Sequence, residues 1–87
     1  MHRYKLFLNI YTYVSLKQDS EQVTYRNRIV SLFAKNDDDA SKRAVAIREL
    51  IQKKAMADRE LFFLQNSTPV HKFSVEVTEA GLYREVG

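Results

Sequence analysis

Lys5, Phe7, Asn9, Tyr11 and Tyr13 occupy every second position of one short stretch, and their types and spacing are those of a surface that could do chemistry. Alternate residues of a strand point to one face. The spacing would therefore gather three rings, an amide and an ammonium on one surface. Such a set can stack nucleobases, at about 1–3 kcal/mol per base. It can equally bury itself against a protein, where Tyr and Phe supply large contact area at low entropic cost. Arg26 and Arg28, on the segment that follows, are expected to lie beside the rings and to meet phosphates. Lys42 and Lys53, in a later basic segment, are a further candidate contact for phosphates or an acidic partner. The default for those two is a solvated helix face.

Catalytic constellations are missing from the pattern. His2 and His71 are the only histidines, and neither has the spacing of a metal pair or of a base with its orienting partner. Asp37, Asp38 and Asp39 could in principle hold a hard cation, but helix capping accounts for all three. Glycine occurs only at 81 and 87, which excludes a glycine-rich phosphate loop and the consensus of the sheet-surface RNA readers. Without cysteine there is neither a disulfide framework nor thiolate chemistry. The expectation is a protein with no catalytic residues, no metal, no cofactor and no small-molecule substrate.

The elements that must position the rings follow from periodicity. In residues 4–16 the even positions Tyr4, Leu6, Leu8, Ile10, Thr12, Val14 and Leu16 are almost wholly apolar, so this strand has one core face. Residues 17–21 are polar and turn-forming. Residues 22–35 read as a second strand making an antiparallel hairpin with the first, with a helix from Ser20 as the competing reading. Val23 and Tyr25 fall on one face and Val30, Leu32 and Ala34 on the other. A bulge near Asn27-Arg28 is expected to reconcile the halves.

Asn36-Asp37-Asp38-Asp39 is a helix start, and Ala40, Ala44, Ile47, Ile51 and Ala55 recur at helical spacing. A helix is expected over residues 38–57, with Lys53 and Lys54 near its end suiting the dipole. Residues 59–65 can continue that helix or form a buried strand. Residues 66–69 break the pattern at Pro69. Residues 71–78 alternate as a strand, with Phe73, Val75 and Val77 inward. Residues 79–81 read as a turn and residues 82–86 as a last short strand.

The fold class expected is α+β: a small antiparallel sheet in the order β-β-α-β-β with one helix on one face, in one domain of residues 1–87. One helix covers only one side of a sheet, which leaves Phe7, Tyr11 and Tyr13 in need of a partner. The net charge of +3 permits nucleic acid without the strongly basic character of a dedicated binder. The N-terminal apolar run is too short and too interrupted for a bilayer span or a signal peptide, so a cytoplasmic, non-membrane protein is expected. The functional expectation is a non-enzymatic inhibitor or adaptor, of the size common among phage and mobile-element proteins. It would act through a protein partner or a homodimer. The alternative is a single-stranded RNA or DNA binder, and a small enzyme is the residual.

Overall fold

Alternation between Tyr4, Leu6, Leu8, Ile10, Thr12 and their odd-numbered neighbours produces the longest strand, β1 (His2–Lys17), in the computed structural model, which describes residues 1–17, 20–65 and 72–86. The second strand, β2 (Ser20–Ala34), pairs antiparallel with β1, and β3 (Lys72–Arg84) pairs antiparallel along its other edge. The sheet order is β2-β1-β3, so the two-faced strand is central. Between β2 and β3 the chain forms a single helix, α1 (Asp37–Gln65). The protein is a small α+β fold, as its patterning implies.

The even face of β1 is the core. Leu6, Leu8 and Ile10 are almost completely enclosed, together with Tyr4, Leu32, Val75 and Val77 from the same side of the sheet. From the helix, Ala40 and Ala44 close the core, with Ile47, Ile51, Ala55 and Met56 packed at its margin. Alanine at 40 and 44 lets the first turns lie close to the sheet, since nothing beyond Cβ must fit between backbone and strand. The helix runs diagonally. Arg43, Ala46 and Ile47 border Leu32 and Phe33 of β2, while further on Phe63 packs edge-on against Phe73 of β3 at 5.2 Å. Residues 21–29 of β2 are consequently exposed on both faces.

Three expectations about element boundaries change. First, residues 59–65 continue the helix: Phe63 reaches Phe73, and the Arg59 guanidinium lies over the Phe62 and Phe63 rings at 5.7 and 6.0 Å. Lys53 and Lys54 therefore lie well inside the helix, away from its negative end, and the last turn carries no basic residue. Second, the expected turn at 79–81 and the expected fourth strand are parts of β3. Phe7 pairs with Gly81 and Leu8 with Glu79, which leaves Ala80 as a bulge in one continuous strand. Third, β2 has no bulge at Asn27-Arg28; its register with β1 is unbroken from His2↔Ala34 to Ser15↔Glu21. Val23 and Tyr25 fall on the open face and Val30, Leu32 and Ala34 on the core face, so both faces of β2 are apolar in part with no change of register. The expected strand start at His71 and the break at 66–69 lie outside the described residues, as do positions 18 and 19 of the first turn.

The helix start is built by side chains. The Asp39 N–H donates to Asn36 Oδ1 (2.9 Å), and Asp39 Oδ2 accepts from the Lys35 N–H (3.0 Å) and from Arg43 Nε (3.1 Å). These donors, the backbone N–H of Lys35 foremost, hold the Asp39 carboxyl below its usual pKa. Arg43–Asp39 is the ion pair formed along the helix among the described residues. The buried Tyr4 hydroxyl donates to Asp37 Oδ1 at 2.7 Å and ties the central strand to the first turn. That bond, and then burial, raise the Tyr4 pKa. A raised phenol pKa stabilises the fold below the unfolded value and is lost as pH rises through the folded one. Stability should thus fall above about pH 10, and Tyr4→Phe should flatten that alkaline slope, measured by urea unfolding between neutral and alkaline pH.

Candidate binding face

The odd positions of β1 and their register partners form the face opposite the helix. Phe7 lies beside Ile29 and Gly81, Asn9 beside Asn27 and Thr78, Tyr11 beside Tyr25 and Glu76, and Tyr13 beside Val23 and Ser74. Lys5, Phe7, Asn9, Tyr11 and Tyr13 are therefore brought together as the alternation requires. Lys5 is exposed and the other four are half-buried by their neighbours. Val23, Tyr25, Ile29, Phe33 and Tyr83 each expose more than half of their surface. These side chains border the half-buried rings, so the exposed apolar surface of this face is continuous from strand to strand.

The rings are organised rather than scattered. Tyr11 stands 5.1 Å from Tyr25 and 6.4 Å from Tyr13, and Phe7 meets Tyr83 edge-on at 5.5 Å. The Tyr25 hydroxyl stands between the amide oxygens of Asn9 (2.9 Å) and Asn27, within hydrogen-bond reach of each, which puts a polar cluster at the centre of the face. Tyr13 has a raised pKa, first through desolvation and then through the charge of the nearby Glu76 carboxylate. At Gly81 the Tyr83 ring lies flat across the backbone: a Cβ there would meet Cε2 at 2.5 Å and Oη at 2.8 Å. Glycine at 81 is what allows Tyr83 to fold back onto Phe7, an aromatic cover over a bulged strand.

The two ends of the face differ in charge. Arg3 and Lys5 stand at one end, paired with Glu85 at 3.2 and 3.5 Å. Glu21 and Lys72 stand at the other, at a shallow hollow of about 330 Å³ that Tyr13 and Ser15 also border.

Arg26 and Arg28 are not beside the rings. Arg26 pairs with Ile10 and Arg28 with Leu8, the core-facing residues of β1, so both project to the helix side. Arg26 borders a groove there with Asp58, Arg59 and Phe62. An unbroken register put them on that side; the bulge that would have turned them round is not formed. Lys42 and Lys53 are exposed on the helix, with the sheet between them and the rings. The residues missed were Tyr25, Ile29 and Tyr83. Their signal was their register opposite Tyr11, Phe7 and Lys5, which only a correct pairing reveals.

Among the described residues, no group of three His, Cys, Asp or Glu is placed to hold a metal ion, and no helix is long and apolar enough to cross a membrane. No family model, no curated protein and no solved structure matches this chain.

Proposed function

We propose that this chain is a non-enzymatic binding protein of inhibitor or adaptor type, working in the cytoplasm through the open face of its sheet. The observation that carries the reading is that face itself: half-buried Phe7, Tyr11 and Tyr13 ringed by Val23, Tyr25, Ile29 and Tyr83, all more exposed. An apolar sheet face is covered when a domain is at work, because leaving it in water forgoes about 25 cal/mol per Å². The single-stranded nucleic-acid alternative keeps its stacking platform but loses Arg26 and Arg28 as phosphate contacts. Arg3 and Lys5 remain on the platform side, already shared with Glu85. The balance of support is for a protein surface.

The test is a double replacement, Tyr11→Ala with Tyr25→Ala, assayed for self-association or partner retrieval at two salt concentrations. A loss that hardly changes with ionic strength is expected, since the contact is mainly apolar. Retention of a labelled oligonucleotide by the wild type, with steep salt dependence, would instead support the nucleic-acid reading.

A further inference from the structure

We propose that the occupant of the open face is a second copy of this chain, stacked sheet on sheet with strand directions opposed. The two-fold axis would cross the strands at the level of Asn9. The inference rests on the reading of this face as a binding surface and names its partner.

Area comes first. β3 accompanies β1 from Tyr4 to Ser15, and residues 20–34 of β2 run along the other edge. At about 3.3 Å per residue and about 4.8 Å between strands, the shared face measures roughly 600 Å². Two such faces together bury about 1,200 Å², the lower bound of specific stable interfaces. Sheets packed in this way stand about 10 Å apart, with side chains interdigitating.

Charge chooses the orientation. One end of the face holds Arg3 and Lys5 with Glu85, which is level with Arg3; the other holds, among the described residues, Glu21 and Lys72 on either side of Ser15. An axis parallel to the strands would set Arg3 over Arg3 and Lys5 over Lys5. An axis crossing the strands sets Glu85 over the Lys72 of the second copy and Arg3 one strand away from its Glu21, so the surface is complementary to itself, as an isologous dimer requires.

The residue levels then agree. With Asn9 over the Asn9 of the second copy, Phe7 falls over Tyr11, and Ile29 over Tyr25. Arg3 falls at the level of Ser15, whose β2 neighbour is Glu21, beside the shallow hollow. The Asn9–Tyr25–Asn27 cluster lies at the centre, where its amides meet those of the second copy and a buried polar group sets register.

Sedimentation equilibrium of the full chain tests this. The expected result is a species of twice the 10.2 kDa chain mass. Ile29→Lys should weaken the dimer by at least about thirtyfold, the loss carried by a central interface residue. Because Ile29 is exposed in the monomer, its circular dichroism should not change. Arg3→Glu and Glu21→Arg should each weaken the dimer, and the two together in one chain should restore it. A monomer at all concentrations, a dimer indifferent to Ile29→Lys, or absence of rescue in the charge swap would each overturn the proposal. Tyrosine-directed labelling of the wild type, in buffer and in native lysate, separates the two failures. A monomer whose Tyr11 and Tyr25 become protected in lysate overturns self-pairing and leaves the binding face standing. A monomer with equal labelling in both overturns the two together.

Discussion

Leu8→Ala is expected to lower the unfolding free energy by about 2–5 kcal/mol, seen as a fall in the urea midpoint with an unchanged slope. Leu8 is 1% exposed and sits on the central strand, between Arg28 of β2 and Glu79 of β3. Its neighbours on either side along the core face, Leu6 and Ile10, are as enclosed as it is. The surrounding groups belong to three hydrogen-bonded strands, which cannot shift inward to fill the space. The loss therefore includes a cavity contribution beyond the transfer of the missing methyl groups. A chain of 87 residues has roughly 4–13 kcal/mol of stability in all, so this one change removes a large part of it. A drop of under about 1 kcal/mol would show that the core is looser than its enclosure implies.

The opposite error should be comparably damaging at the helix. Ala44→Leu is expected to destabilise by about 1–3 kcal/mol or more, because it inserts three carbons where helix and sheet are closest. Ala44 is 3% exposed, and Ala40, one turn earlier, is fully buried. The added volume must push the first turns off the sheet, loosening the Tyr4–Asp37 hydrogen bond and the Asn36 cap that secure the helix start. Ala57→Leu, at an exposed position on the same helix, is the control, and should stay within about 0.5 kcal/mol of wild type. Thermal unfolding of both variants checks the contrast. Equal effects at 44 and 57 would mean that the alanines reflect helix propensity and not close approach.

Neither variant touches the open face, so stability and binding can be dissected separately. The core lies on the even residues of β1 and the aromatic face on the odd ones, so one strand both holds the fold together and carries the rings. Polar groups lie among the rings of that face: the Tyr25 hydroxyl is within hydrogen-bond reach of both the Asn9 and the Asn27 amide oxygens, and the Glu76 carboxylate stands near Tyr13.

Much of this protein was legible in local pattern. The period of two in residues 4–16 identified both faces of β1, because side-chain alternation is a property of the strand and needs no neighbour. The acidic start at residues 36–39 and the stripe from Ala40 to Ala55 likewise identified the helix, since caps and spacing act within one or two turns. Residues 59–65 stayed open between helix and strand: a run of Leu-Phe-Phe-Leu suits either period, and its distant contact with Phe73 decided the matter. The last strand was divided in two because Gly81 reads locally as a turn, whereas pairing with Phe7 makes it part of a bulge.

Tertiary structure alone decided what surrounds the rings. Side-chain alternation in β1 puts Phe7, Tyr11 and Tyr13 on one side, but the register of β2 determines whether Tyr25 and Ile29 or Arg26 and Arg28 stand next to them. A slip of one residue exchanges the two sets completely. That register is selected by burial of Leu32 and Ala34 beneath the helix, a contact between segments far apart in the chain. Residues 4–16 by themselves determined that this protein has a core face and an aromatic face. The packing of α1 on the core face determined that Val23, Tyr25 and Ile29 flank the rings on the aromatic one, and that Arg26 and Arg28 stand on the far side of the sheet.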